Sequence, residues 1–107
     1  ENREIECWVS AITPINVYYT ARKLKGKELA LQAVKELLTA VAVCRADKQI
    51  LLDAFSLNFG DYEDAVQHAS AVAENLDAIV TRNIGDYKNA TLVVYSPDEF
   101  LKRLLGE

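Results

Sequence analysis

Residues 61–81 read DYEDAVQHASAVAENLDAIVT, and this stretch predicts a helix that is followed at once by a strand. From Tyr62 to Leu76 the apolar residues recur at steps of 3, 1, 3, 3, 1 and 3, the spacing of a helix buried along one face. Residues 77–81 then change to a short run that favours a strand. A helix that leads directly into an apolar strand is the repeating unit of α/β proteins.

The same alternation continues along the rest of the chain. Strands are predicted at residues 6–11, 41–45, 78–81 and 91–95. Helices are expected to begin at Pro14 behind a Thr13 cap, at Lys27, at Asp47, at Asp61 and at a Ser96–Glu99 capping box. The strands are mostly unbroken apolar runs, which is typical of a parallel sheet covered by helices on both faces. The sequence therefore predicts an α/β fold of about four strands and five helices, in one domain over residues 1–107.

The charge balance argues against a broad nucleic-acid-binding face. The 107 residues include 12 basic and 16 acidic side chains, which gives a net charge of -4. Proteins that hold nucleic acid through a wide basic surface have the opposite balance. One short basic run consists of Arg22, Lys23, Lys25 and Lys27. It is consistent with either a solvated helix end or a local patch that contacts phosphate.

Two features bear on where the protein works. No apolar run approaches the roughly 20 residues that a membrane-crossing helix needs. Cys7 and Cys44 lie far apart in strand-like runs, which predicts buried free thiols in the reducing cytoplasm. We therefore expect a cytoplasmic protein that makes no contact with a membrane.

Acidic residues gather at the start of the helix that opens the quoted stretch. Asp61, Asp64 and His68 are spaced i, i+3, i+7, so they form one line along that helix. Asp61 suits an N-cap, and Asp64 completes a pair like a capping box near the positive end of the helix dipole. Carboxylates about 4 Å apart also repel one another by about 1–4 kcal/mol, which a divalent cation offsets. Local sequence does not decide whether the acids cap the helix or bind a metal ion. It also leaves three interpretations of His68: a partly buried surface side chain, a ligand or a proton relay.

Further polar residues follow the predicted strands. Thr81, Asn83 and Asp86 come after the strand at 78–81, and Asn16 comes after the first strand. The useful crevice of a parallel sheet lies beyond the carboxyl ends of its strands, so these side chains are candidates for a common site. Oxygen donors of this kind, without paired His or Cys, favour Mg²⁺ or Mn²⁺ over Zn²⁺.

Three stretches together resemble the PIN domain family, which includes the VapC-type toxin ribonucleases. They are WVSAITPINVYYTARK at 8–23, DYEDAVQHASA at 61–71 and DAIVTRNIGDY at 77–87. The closing YSPDEFL at 95–101 fits the family's last strand and helix. The stretches come in the family's order and cover essentially the whole chain.

The resemblance implies a three-layer α/β fold and a metal-dependent endoribonuclease that cleaves single-stranded RNA, often as the toxin of a toxin–antitoxin pair. In such enzymes, acids hold Mg²⁺ or Mn²⁺, which activates water and neutralises the phosphate under attack. It implies catalytic roles for Asp64 and Asp86, with Thr81 supporting the loop by hydrogen bonding. The implied metal ligands are Asp64, Asn83, Asp86 and, as a neighbour, Asp61. The expected partners are single-stranded RNA, an antitoxin protein and further copies of the chain.

Two departures from the family pattern bear on these expectations. The family's first strand and its acid have no counterpart here, so we expect a fragment of a parent protein of roughly 140–150 residues, active only when intact. Losing that central strand leaves a gap lined by unpaired backbone groups, each of which costs about 1–3 kcal/mol when buried. We expect a missing segment, a second chain or a rearranged sheet to fill this gap. Asn16 and Asn83 stand where many relatives carry acids. The alternatives are a non-catalytic PIN-like module that binds RNA or protein, and a plain self-associating interaction protein.

Overall fold

The computed structural model describes residues 5–106, and the chain divides into two compact units, one up to Arg45 and one from Ala46. The strands are β1 (Trp8–Val9), β2 (Ala42–Val43), β3 (Ala78–Val80) and β4 (Val93–Tyr95). The α-helices are α1 (Ile12–Lys25), α2 (Lys27–Ala40), α3 (Lys48–Asp53), α4 (Tyr62–Ala73) and α5 (Pro97–Leu104), and 3₁₀ helices span Ala54–Leu57 and Ile84–Tyr87. None of the helices within residues 5–106 has the length and apolar character that crossing a bilayer requires.

Both strand pairs are parallel, which confirms the predicted α/β class. β1 pairs with β2 in the first unit, with Trp8 opposite Ala42, and β3 pairs with β4 in the second, with Ile79 opposite Val94. Within residues 5–106 the two pairs are separate two-stranded sheets. Every described strand thus has one hydrogen-bonded neighbour, and the strands are two or three residues long rather than the four to six predicted. The assignment of residues 1–107 to one domain stays a prediction.

The first unit is built around two helices that pack against each other. Gly26 joins them at φ 93°, and its amide N–H donates to the Arg22 carbonyl. A glycine is suited to this turn because a side chain rarely adopts a positive φ. Ala30 on α2 is completely buried, whereas Leu29 beside it is 55% exposed. The predicted apolar stripe of α2 is therefore covered only in part among the described residues.

Two predictions for the first unit are wrong. Helix α1 begins at Ile12 rather than behind a Thr13 cap, because the Ser10 hydroxyl accepts a hydrogen bond from the Ile12 amide and starts the helix earlier. Cys7 is exposed rather than buried, whereas Cys44 is buried as predicted, and neither of the two forms a disulfide among the described residues. Cys7 precedes a two-residue strand, so little neighbouring structure covers it.

The second unit has a core of mostly small and medium side chains, with α4 as its most buried helix. The buried apolar residues of this unit are Ile50, Ala54, Ala65, Val66, Ala69, Ala71 and Tyr87. Asp47 caps α3 by accepting from the Ile50 amide, and Ser96 and Glu99 form both hydrogen bonds of the predicted capping box at α5. These caps fix where α3 and α5 begin.

Candidate metal centre

The acidic turn at the start of α4 is held by its own cap. The Asp61 carboxylate accepts a hydrogen bond from the Asp64 amide at 3.1 Å, which confirms the predicted N-cap. Glu63 and Asp64 lie in the first turn, where the helix dipole favours negative charge. The Asp64 side chain is half-buried, while Asp61 and Glu63 are exposed. The cap therefore sets the position of Asp64 within the first turn of the helix.

The loop after β3 is stabilised by a second set of local hydrogen bonds. The Thr81 hydroxyl accepts from the Asn83 amide at 3.0 Å, so Thr81 supports this loop as predicted. The Asn83 carbonyl in turn accepts from the Asp86 amide at 3.0 Å, closing the 3₁₀ turn of Ile84–Tyr87. Asp86 is thus placed on a hydrogen-bonded turn rather than on a free loop.

The two segments meet at one concavity in the second unit. Its volume is ≈ 450 Å³, and it is lined by Phe59, Gly60, Asp61, Asp64, Gly85, Asp86, Lys88 and Asn89. Three of the predicted site residues, Asp61, Asp64 and Asp86, therefore come together there. Asn83 does not line this concavity, and its backbone serves the loop instead. Asn16, which follows the first strand, lies on α1 in the other unit.

The carboxylates act on one another through their charges. Partial burial raises the pKa of the Asp64 carboxyl above its ordinary value. The charges of Asp61 and Asp86, and that of Glu63 to a smaller extent, raise the same pKa, while the hydrogen bond from Tyr87 lowers it. Asp86 is 22 positions beyond Asp64 in the chain, so its effect on that pKa comes from the fold and not from local sequence. Negative charge is concentrated at the concavity without an equal positive charge beside it.

The donor chemistry of the concavity fits a hard divalent cation. Within residues 5–106, no group of three or more His, Cys, Asp or Glu is assembled closely enough to hold a metal by itself. Mg²⁺ keeps several waters and is commonly bound by only one or two carboxylates, so the pair Asp64 and Asp86 fits that mode. Each carboxylate has two oxygens, so Asp61 can cap the helix with one oxygen and keep a second for a ligand role.

Three residues at the site were missed by reasoning from the sequence. The Tyr87 hydroxyl donates to Gln67 Oε1 at 3.0 Å and to Asp64 Oδ1 at 3.3 Å. Burial, and then the charge of Asp64, raise the pKa of Tyr87, so its hydroxyl stays protonated and remains a donor. Lys88 adds a positive side chain to the lining. Tyr87 closes the family-like stretch at 77–87 and Lys88 follows it, but no role was predicted for either residue, and nothing in the sequence marked Gln67.

His68 is a buried structural residue rather than the partly exposed side chain predicted. It is completely buried, and its Nε2 accepts a hydrogen bond from the Thr91 amide at 3.0 Å. Its Nδ1 has no hydrogen-bond partner among the described residues. Burial lowers the pKa of His68, so the ring is neutral at pH 7 and holds residue 91 against α4.

The His68 environment predicts a loss of stability in mild acid. The unfolded chain takes up a proton below the ordinary pKa of 6.5, while the folded ring resists it, so stability is full above that pH and falls below it. We expect the urea midpoint to fall between about pH 7 and about pH 5. In H68Q, whose amide oxygen can accept from Thr91 without titrating, the fall should be smaller. Equal falls in both proteins would contradict this account of His68.

The comparisons with known proteins agree with this fold. A family model described as the PIN domain matches residues 1–85, a range that includes Asp64 and Asn83 and ends one residue before Asp86. Among solved structures, the chain is similar to "2.2 A resolution structure of VapBC-1 from nontypeable Haemophilus influenzae". That match has a TM-score of 0.69 at 20% identity, and covers 85% of this chain and 74% of the other. A search of curated proteins finds no match. The family match extends over most of the sequence, and the chain belongs to the PIN domain family.

Proposed function

We propose that this chain carries the metal-binding acids of a divalent-cation-dependent endoribonuclease that cleaves single-stranded RNA. The observation that carries the proposal is the meeting of Asp64 and Asp86 at one concavity, where the charge of Asp86 raises the pKa of Asp64. Like charges held together in this way are relieved by a cation. Membership of the PIN domain family supports the same reaction class.

Each acid has a distinct role in the proposal. Asp64 and Asp86 are the principal ligands and the catalytic acids, because they come from separate segments and face the same space. Asp61 is a neighbouring ligand that also caps α4. Asn83 is the weakest member, since a neutral amide binds Mg²⁺ less strongly and its backbone already holds Asp86.

The protein's own residues would divide the work around the cation. When bound, Mg²⁺ or Mn²⁺ supplies an activated water and neutralises the charge of the phosphate under attack. The exposed Lys88 lies on the same concavity and is suited to contact a neighbouring phosphate of the RNA. Asp64 and Asp86 repel RNA when no cation is present, so the cation is required for binding as well as for cleavage.

The partner part of the proposal concerns the first unit. We propose that the protein is the toxin of a toxin–antitoxin pair, working in the cytoplasm and self-associating. An apolar concavity of ≈ 340 Å³ on the α1–α2 pair supports a protein partner, and its lining residues are Pro14, Ile15, Tyr18, Tyr19, Leu31 and Val34. Ile15 and Tyr19 there are 58% and 61% exposed. Apolar side chains that are so exposed and contiguous are typical of protein interaction sites.

The decisive experiment is cleavage by the full-length gene product. Labelled single-stranded RNA, incubated with the protein and Mn²⁺, is expected to be cut, and chelation with EDTA should stop the reaction. A base-paired RNA of the same sequence serves as the control and should be cut more slowly. Absence of cleavage in the presence of Mn²⁺ would contradict the proposed activity.

A second candidate is a PIN-like module that binds RNA or protein without cutting. It is favoured because Asp61, Asp64 and Asp86 line one concavity but, within residues 5–106, no three ligand side chains come close enough together to hold a metal. Calorimetry separates the two candidates. The nuclease must bind Mn²⁺ in the absence of RNA, whereas the non-catalytic module is expected to show no measurable binding.

A further inference from the structure

Tyr87 joins the two segments that carry the proposed ligands. It follows Asp86 directly in the chain and is only 6% exposed. Its hydroxyl reaches across to α4, where Gln67 Oε1 lies at 3.0 Å and Asp64 Oδ1 at 3.3 Å. One hydroxyl proton is shared between these two acceptors, and both contacts restrict where the Asp64 carboxylate points.

The Tyr87 ring is held in place independently of its hydroxyl. It packs edge-on against Phe59 at 5.5 Å and 88°, and Phe59 in turn lies 5.4 Å from the buried His68 ring. The next residues are fixed as well, because the Ala90 amide donates to the Tyr87 carbonyl and the Thr91 amide donates to His68. Removing the hydroxyl alone should therefore leave the ring, and the turn that carries Asp86, in position.

A rigid aromatic donor is well suited to orient a metal ligand. Groups that hydrogen-bond to a ligating carboxylate fix its rotamer, and their loss weakens the metal site although they never touch the metal. The Asp64 carboxylate accepts a hydrogen bond from Tyr87, which belongs to the segment that bears Asp86. One residue therefore links the orientation of Asp64 to the position of Asp86.

We propose that Tyr87 is a positioning residue that turns the Asp64 carboxylate toward a cation shared with Asp86. The inference rests on the proposed metal-dependent function and adds a residue to it. Tyr87 contacts neither RNA nor cation in this proposal, and acts through Asp64.

The test compares two tyrosine variants of the full-length gene product. Y87F removes the hydroxyl that reaches Asp64, and Y62F removes a hydroxyl that donates to the Leu51 carbonyl at 2.7 Å. Each substitution deletes one hydroxyl oxygen and keeps the ring, so Y62F controls for the loss of a tyrosine hydroxyl that does not reach Asp64. Mn²⁺ affinity is measured by calorimetry without RNA, and the thermal midpoint is measured without metal.

Loss of a residue that orients a metal ligand should weaken Mn²⁺ binding by about 10-fold or more in Y87F. Y62F should bind Mn²⁺ as the wild type does, and the metal-free midpoints of the two variants should be similar. If the wild type binds Mn²⁺ and Y87F binds it equally well, the inference is wrong while the proposed function stands. If the wild type itself fails to bind Mn²⁺, the proposed function is wrong, and the inference is wrong with it.

Discussion

Replacing Asp64 by Ala in the full-length gene product is expected to reduce cleavage of single-stranded RNA by about 100-fold or more, since several kcal/mol of metal stabilisation are lost. The reason is structural: Asp64 is the half-buried acid of the concavity and is held by Asp61 and Tyr87. The measurement is the initial rate of RNA cleavage at saturating Mn²⁺.

The control for this prediction is the neighbouring acid. Glu63 also raises the pKa of Asp64 through its charge, but its side chain does not line the concavity. E63Q should therefore cleave at a rate close to the wild type. D64N guards against misfolding, because its amide oxygen can still accept from Tyr87. Full activity in D64A or D64N, or an equal loss in E63Q, would remove Asp64 from its proposed role.

Mn²⁺ is expected to reverse the stability order of the wild type and D64N. Burial and neighbouring charge raise the pKa of Asp64, so its ionised form at neutral pH disfavours the folded state. Without metal, D64N should thus melt at a higher temperature than the wild type. With Mn²⁺ at 100 times its dissociation constant, the wild type should gain about 2.7 kcal/mol, and D64N should gain much less.

An acid in a comparable position offers a matched control for the stability prediction. Asp98 lies in the first turn of α5, as Asp64 does in α4, but it does not line the concavity. D98N should lose the small benefit that the helix dipole gives, about 0.3–1 kcal/mol, and should retain the full response to Mn²⁺. The account of Asp64 fails if metal-free D64N melts below the wild type, or if Mn²⁺ stabilises it fully.

Features that depend on neighbours in sequence could be predicted, and α4 is the clearest case. Its apolar spacing predicted the buried helix, and Asp61 predicted the cap that the structure contains. The capping box at Ser96 and the support of Asn83 by Thr81 are local in the same sense. Such interactions join residues two or three positions apart, so their geometry is set by the backbone conformation of a single turn.

Contacts between distant residues could not be predicted from the sequence. The hydroxyl of Tyr87 meets Gln67 across 20 positions, and His68 meets the Thr91 amide across 23. Which residues meet depends on how the loop after β3 folds back on α4. The full burial of His68 was mispredicted for this reason.

The candidate site was only partly predictable. The resemblance to the PIN domain family implied that Asp64 and Asp86 are ligands of one metal, and both line the concavity. Asn83 matches the family pattern, yet its backbone is committed to the turn and its side chain lies outside the lining. A motif identifies residue types along the chain, whereas the direction of each side chain depends on the turn that holds it.

The central claim is that Asp64 and Asp86 share one divalent cation, and a crystal of the full-length gene product soaked in Mn²⁺ tests it most directly. The account predicts one anomalous peak within coordination distance of a carboxylate oxygen of each residue, and its disappearance in D64N. An occupied Mn²⁺ site elsewhere with none between these two carboxylates would contradict it.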